Sequence, residues 1–318
     1  MRMNVIGLMA AVSILPCVAI ARQLKPEVLK AMHNGAMAEI HLKVLDNSGM
    51  PVSNASVRAV MDMTTGEYSL FGKTDTNGVY VVRGKTNGNY IEFLVGKDGY
   101  YGSRKRMTYV QMRAEHDVID GKWQPYGAVD KIILRDIRNP IEMSKELFWK
   151  FKYTVAINTW IGYDIKENDF VEPYGNGKVS DFEVYIDWNG DWLPAYRGMA
   201  VKIRFTEPFG GYYTCDINTD SEFKGPYAAS PDSIFVDRAE FSERVLDNGN
   251  RVQKHFDVGK CWVVRSRCKV SSDGKLVSAN YSVIYDVVFT CKKGGHGGFC
   301  ITGVFNPTPN DTNLEPKR

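Results

Sequence analysis

The chain has 318 residues, with 40 lysines and arginines against 37 acids and a formal net charge of +3. A balance this even supplies no field strong enough to recruit nucleic acid. The length is that at which a single core usually divides in two.

The chain opens MRMNVIGLMAAVSILPCVAIARQ, one cation at Arg2 before an apolar run from Val5 to Ile20 that ends in Ala19-Ile20-Ala21. This is the layout of a secretory signal peptide, residues 1–21, cut after Ala21. The run falls short of a membrane-spanning helix, so no membrane span is expected after cleavage. Cys17 follows Pro16 rather than a small residue, which argues against lipid attachment. Losing Arg2 leaves 39 − 37 = +2. Export implies a secreted, periplasmic or cell-envelope protein, where thiols default to disulfides. The remaining cysteines, Cys215, Cys261, Cys268, Cys291 and Cys300, all lie in the C-terminal third.

Residues 22–37 read as a linker or short helix, with Pro26 in a first turn and Asn34-Gly35 as the stop. Residues 38–138 then read as a first β-sandwich. In AEIHLKVLD, Ile40, Leu42 and Val44 alternate with Glu39, His41 and Lys43, giving one buried face and a solvent-facing His41. NSGMPV turns the chain into ASVRAVMDM. In GKTDTNGVYVV, Asn77-Gly78 predicts a two-residue hairpin turn that sets Thr76 against Val79 and Asp75 against Tyr80. Further turn signals stand at TNGNY and at Asp98-Gly99, and the basic run Arg104-Lys105-Arg106 reads as a solvated loop.

The pieces VLDNSGMPVSNASV, KTDTNGVYVV and VGKDGYYGSR, in that order, resemble the carboxypeptidase regulatory-like domain, a transthyretin-like β-sandwich, over residues 38–135. The resemblance implies that fold and an accessory or adhesive role. It implies no peptidase activity, since none of His33, His41, His116, His255 and His296 heads the His-x-x-Glu ligand pair of such enzymes.

Asn139-Pro140 marks the expected boundary, and residues 139–318 read as a second antiparallel, disulfide-stapled β domain. Its strands are DFEVYID, MAVKIRFTE, YYTCDI, KCWVVRSRCKV, SANYSVIYDVVFT and FCITGVF, separated by Asn-Gly, Gly-Gly and Asp-Gly turns. The phrases IRNPIEM, GYDIKENDFVEPYGNGKVSDF and NPTPNDTNLE resemble the C-terminal half of secreted bacterial proteins that carry the same regulatory-like module. That resemblance implies no activity.

No nucleophile elbow or zinc-protease helix is present. Asp187, Asn189 and Asp191, and Asp216, Asn218 and Asp220, imitate calcium loops but lack the glycine and glutamate at positions six and twelve. CKKGGHGGFC gathers Cys291, His296 and Cys300. A two-residue turn at Gly295-His296 would set Cys291 directly opposite Cys300, at a separation a disulfide tolerates. That disulfide is the expectation, ahead of a metal site. A second bridge joins Cys215 to Cys261 or to Cys268, because Cys261 and Cys268 point to opposite faces of an unbroken strand. Trp188 and Trp192, flanking Asn189-Gly190, are the candidate ligand contacts.

The expected fold is all-β: a transthyretin-like sandwich followed by a second antiparallel sandwich. The expected function is a non-enzymatic secreted or envelope protein that binds a surface protein or glycan, with no catalytic residue, cofactor or metal assigned. The alternatives are a carbohydrate-active hydrolase using Asp or Glu of the second domain, or a structural subunit of an envelope assembly.

Overall fold

The computed structural model describes residues 24–88, 90–109, 117–144, 151–188, 198–245, 251–292 and 295–317. The expected leader, Cys17, His116, Asn189, Asp191 and Trp192 lie outside them. Among the described residues no helix is long and apolar enough to cross a membrane.

A nine-residue helix, α1 (Pro26–Asn34), has Pro26 at its start and Gly35 at φ 74° as its stop. It leads into β1 (Ala36–Leu45), β2 (Ser56–Met61), β3 (Tyr68–Lys73), β4 (Val79–Thr86) and β5 (Ile91–Gly96). Next come β6 (Ser103–Met107), β7 (Val118–Ile119), β8 (Lys122–Trp123) and β9 (Ala128–Ile133). The strict alternation in β1 buries Ala36, Ala38, Ile40, Leu42 and Val44. β1 is central in its sheet, antiparallel to β4 and parallel to β8 and β9. The facing sheet runs β3-β2-β5-β6, and Val57, Ala59, Phe93 and Val95 close the core from that side.

Two local expectations need correction. The Asn77-Gly78 turn does not close a hairpin: β3 pairs with β2 and β4 with β1, so this turn carries the chain from one sheet to the other. A two-residue hairpin turn of the expected type needs positive φ at both central residues, and of Asn77 and Gly78 the glycine alone has it. Asp75 instead accepts the Asn77 and Val79 amides, and its own amide donates to the Val79 carbonyl. The run Arg104-Lys105-Arg106 is strand β6 rather than loop, with Arg104 and Arg106 both paired to Glu92.

The second sandwich is built from β10 (Lys152–Thr154), β11 (Trp160–Asp164), β12 (Asp169–Phe170), β13 (Phe182–Asp187), β14 (Met199–Arg204) and β15 (Gly211–Asp216). It is completed by β16 (Arg238–Val245), β17 (Arg251–Lys254), β18 (Lys260–Val270), β19 (Leu276–Lys292) and β20 (His296–Phe305). One sheet runs β10-β20-β19-β18-β15 and the other β12-β11-β13-β14-β16-β17. The pairings are antiparallel throughout. The protein is thus all-β, two sandwiches in tandem.

Phe182, Val184 and Ile186 of one sheet meet Trp262, Ile284 and Phe299 of the other across the core. Tyr163 stacks on Phe182 with centroids 5.4 Å apart and meets Phe299 edge-on at 4.9 Å. One end of the sandwich is held by a buried ion cluster. Arg267 sits at φ 53° where the β18–β19 register shifts, and its guanidinium reaches Asp181 at 2.9 Å and Asp164 at 2.8 Å. Asp164 also accepts the Lys166, Lys178 and Val179 amides, and Asp181 the Ile165 amide. The carboxylates therefore organise the 165–181 connection as well as neutralising the cation.

The outer face of the β18 sheet carries a smaller cluster, Cys261, Val263, Tyr281, Val283, Val304 and Leu314. The loop after β15 then meets the first sandwich. Ser221 bridges Ser103, and the Arg135 guanidinium lies 4.2 Å from the Phe223 ring centroid and 4.4 Å from that of Tyr227.

Candidate functional site

One concavity of the second sandwich lies beside β16. It encloses about 520 Å³ and takes residues from both sheets: Trp160, Arg204, Arg238 and Glu240 from one, Tyr212 and Trp262 from the other. The register explains the gathering. Trp160 pairs with Tyr185, Tyr185 with Lys202, and Lys202 with Glu240, so one row of side chains crosses four strands. The row beside it brings Glu183, Arg204 and Arg238 together.

The polar groups fall into two kinds. Arg204 is committed, 2.5 Å from Glu183 with its guanidinium 4.1 Å from the Trp160 ring centroid. Lys202 is held 3.2 Å from Asp187. Arg238 is 80% exposed, with Asp237 3.9 Å away. The Lys254 ammonium has no carboxylate partner among the described residues, and Glu240 and Asp257 add two acids to the wall. Tyr212 stacks on Trp262 at 3.9 Å, and its hydroxyl donates to the Arg238 carbonyl at 3.2 Å. Burial holds that phenol above its ordinary range, so it stays a donor. A concave wall with aromatic rings and two cations that lack a close carboxylate partner among the described residues can orient a hydroxylated, anionic molecule.

The residues singled out in sequence fall elsewhere. Trp188 is a core residue, 2% exposed, and is no ligand contact. It continues the alternation of Phe182, Val184 and Ile186, all pointing inward, so its burial could have been read from parity. Trp160 is out of phase with the buried Ile161 and Tyr163 of β11, so the same parity takes it off the core face.

The Cys291 to Cys300 pairing is also corrected. The closing pair of the β19–β20 hairpin is Lys292 opposite His296, which places Cys291 opposite Gly297 and Cys300 opposite Val288. The connection has three residues, with Gly295 at φ 79°, rather than the expected two-residue turn. The register moves by three positions, and an odd shift sends the two sulfurs to opposite faces of the sheet. The same shift separates Cys291 and Cys300 as ligands to a common metal. Among the described residues no group of three His, Cys, Asp or Glu is placed to hold one. Asn218 spends its side-chain oxygen on the Asp220 and Ser221 amides. The parity argument for Cys261 and Cys268 does not survive the register shift at Arg267 either. Cys215, however, lies directly opposite Cys261.

No protein-family model matches this chain, and no curated protein matches it. Among solved structures, it is similar to 3-chlorocatechol 1,2-dioxygenase from Rhodococcus opacus 1CP, at 14% identity and a TM-score of 0.26 over 33% of this chain and 62% of that one. It is similar to catechol 1,2-dioxygenase from Acinetobacter sp. ADP1 at 16% identity and a TM-score of 0.24, over 33% of this chain and 54% of that one. The chain therefore spans less than two thirds of either dioxygenase. A putative membrane-associated protein of unknown function from Bacteroides fragilis NCTC 9343 aligns over 87% of this chain and 99% of its own, at 10% identity and a TM-score of 0.22.

Proposed function

We propose that this chain is an exported, non-enzymatic β protein that binds an acidic saccharide in the cleft of its second sandwich. One observation carries the reading: Arg238, 80% exposed and paired only at 3.9 Å with Asp237, and Lys254 share a concave wall with the rings of Trp160 and Tyr212. The volume, about 520 Å³, falls within the range of small-ligand sites. Ring faces take the apolar face of a sugar, and cations take its carboxylate. The leader over residues 1–21 supports a secreted or envelope location. The resemblance of residues 38–135 to the carboxypeptidase regulatory-like domain supports an accessory role for the first sandwich.

Titration calorimetry with a uronic-acid oligosaccharide and its neutral counterpart tests this. The expected result is binding of the acidic oligomer, weakened by salt and by Arg238→Ala. Equal binding of both oligomers, or of neither, would sink the acidic-ligand reading. Release of reducing sugar, abolished by Glu240→Gln or Asp257→Asn, would replace binding by hydrolysis.

A further inference from the structure

Cys215 of β15 and Cys261 of β18 are register partners on adjacent antiparallel strands, so their side chains leave the same face of the sheet. The pair two residues on, Ile217 and Gly259, is joined by a 3.0 Å bond from the Ile217 amide. Hydrogen-bonded and non-bonded pairs alternate along an antiparallel ladder, so Cys215 and Cys261 also form a hydrogen-bonded pair. Its Cα separation of about 5.5 Å is near the commonest value for disulfides. Both sulfurs pack on the outer cluster with Tyr213 and Val263, where burial pushes both thiols up. Cys268 is excluded as the partner of Cys215. It lies seven residues further along β18, roughly 23 Å of strand, past the point at which β15 ends at Gly211.

We infer that Cys215 and Cys261 form a cross-strand disulfide when the chain meets an oxidising compartment. Cys215, the half-buried member, attacks first: its thiolate displaces one thiol from a disulfide oxidant, giving a mixed disulfide. The Cys261 sulfur then displaces the second thiol, and the two protons leave with the two released thiols. One disulfide is reduced and one formed. Thr214 and Trp262, the next register pair, face the cleft, so the bond would fix the spacing of its wall from behind.

The test is peptide mapping without reductant of the full chain after treatment with oxidised glutathione, with remaining thiols alkylated in denaturant. A linked peptide holding Cys215 and Cys261 is expected, and Cys268→Ser should leave its yield unchanged. A peptide linking Cys215 to Cys268, or full alkylation of both Cys215 and Cys261 after oxidation, would overturn the inference. Cys215→Ser should abolish the linked peptide while the variant stays folded by circular dichroism. An unchanged cross-link at Cys261 in that variant would equally overturn it.

Discussion

The hydroxyl of Tyr101 donates a 2.8 Å hydrogen bond to the carboxylate of Glu315, across 214 residues of sequence. Glu315 is 1% exposed, and the same carboxylate accepts the amides of Arg138 and Asn139 at 2.9 and 2.8 Å. One side chain near the C-terminus thereby ties the first sandwich, the connecting segment and the tail of the second. Glu315→Ala removes the acceptor that these three donors share. It should destabilise the chain by about 2–4 kcal/mol, against about 1 kcal/mol for Tyr101→Phe, in urea unfolding followed by tryptophan fluorescence. Equal losses in the two variants would show that the backbone amides contribute nothing.

Arg267 pairs with two buried carboxylates, Asp164 and Asp181, and is their one cation among the described residues. Arg267→Ala strands both charges and should cost about 3–5 kcal/mol, while Arg267→Lys, which cannot bridge both carboxylates with a planar fork, should recover part of that. Thermal unfolding of the two variants checks the order.

Trp160→Ala should weaken binding of an acidic oligosaccharide roughly three- to tenfold, the loss of one stacking face of about 0.5–1.5 kcal/mol. Trp188→Ala should instead cost about 3–5 kcal/mol of stability, because it empties the core. Calorimetric affinity and unfolding midpoint, measured on both variants, separate the two roles.

Burial holds the Cys261 thiol at about 12 and the Cys268 and Cys300 thiols at about 11. Each stays protonated in the folded chain at pH values where the unfolded thiol ionises, near 8.5. The reduced protein should therefore keep its full stability below about pH 8.5 and lose it progressively as pH rises towards 11 and 12. Iodoacetamide at pH 8 should label native Cys261 and Cys300 far more slowly than the same residues in urea. Equal rates in the two states would contradict the burial.

Much of the architecture was legible locally. The alternation in AEIHLKVLD marks β1 and its buried face, Pro26 and Gly35 bound α1, and Asp98-Gly99 turns β5 into β6. Asn77-Gly78 signals a turn equally well, yet which strands flank it in space is set by the partners that bury β1 and β2, and those lie tens of residues away. The hairpin at CKKGGHGGFC shows the same limit at finer scale. Several glycines there can adopt positive φ, so turn chemistry alone does not choose the register. The packing of Phe299 and Ile301 against the opposite sheet does.

By itself, the sequence determined the all-β class, the turn positions and which face of each strand is apolar, because these follow from period-two patterning and backbone preference within a few residues. Only the tertiary structure decided that Trp160 and Arg238 line one cleft and that Cys215 meets Cys261. Those relationships arise where distant strands come into register, and strand pairing is selected by the burial of whole sheets rather than by the residues at the meeting point.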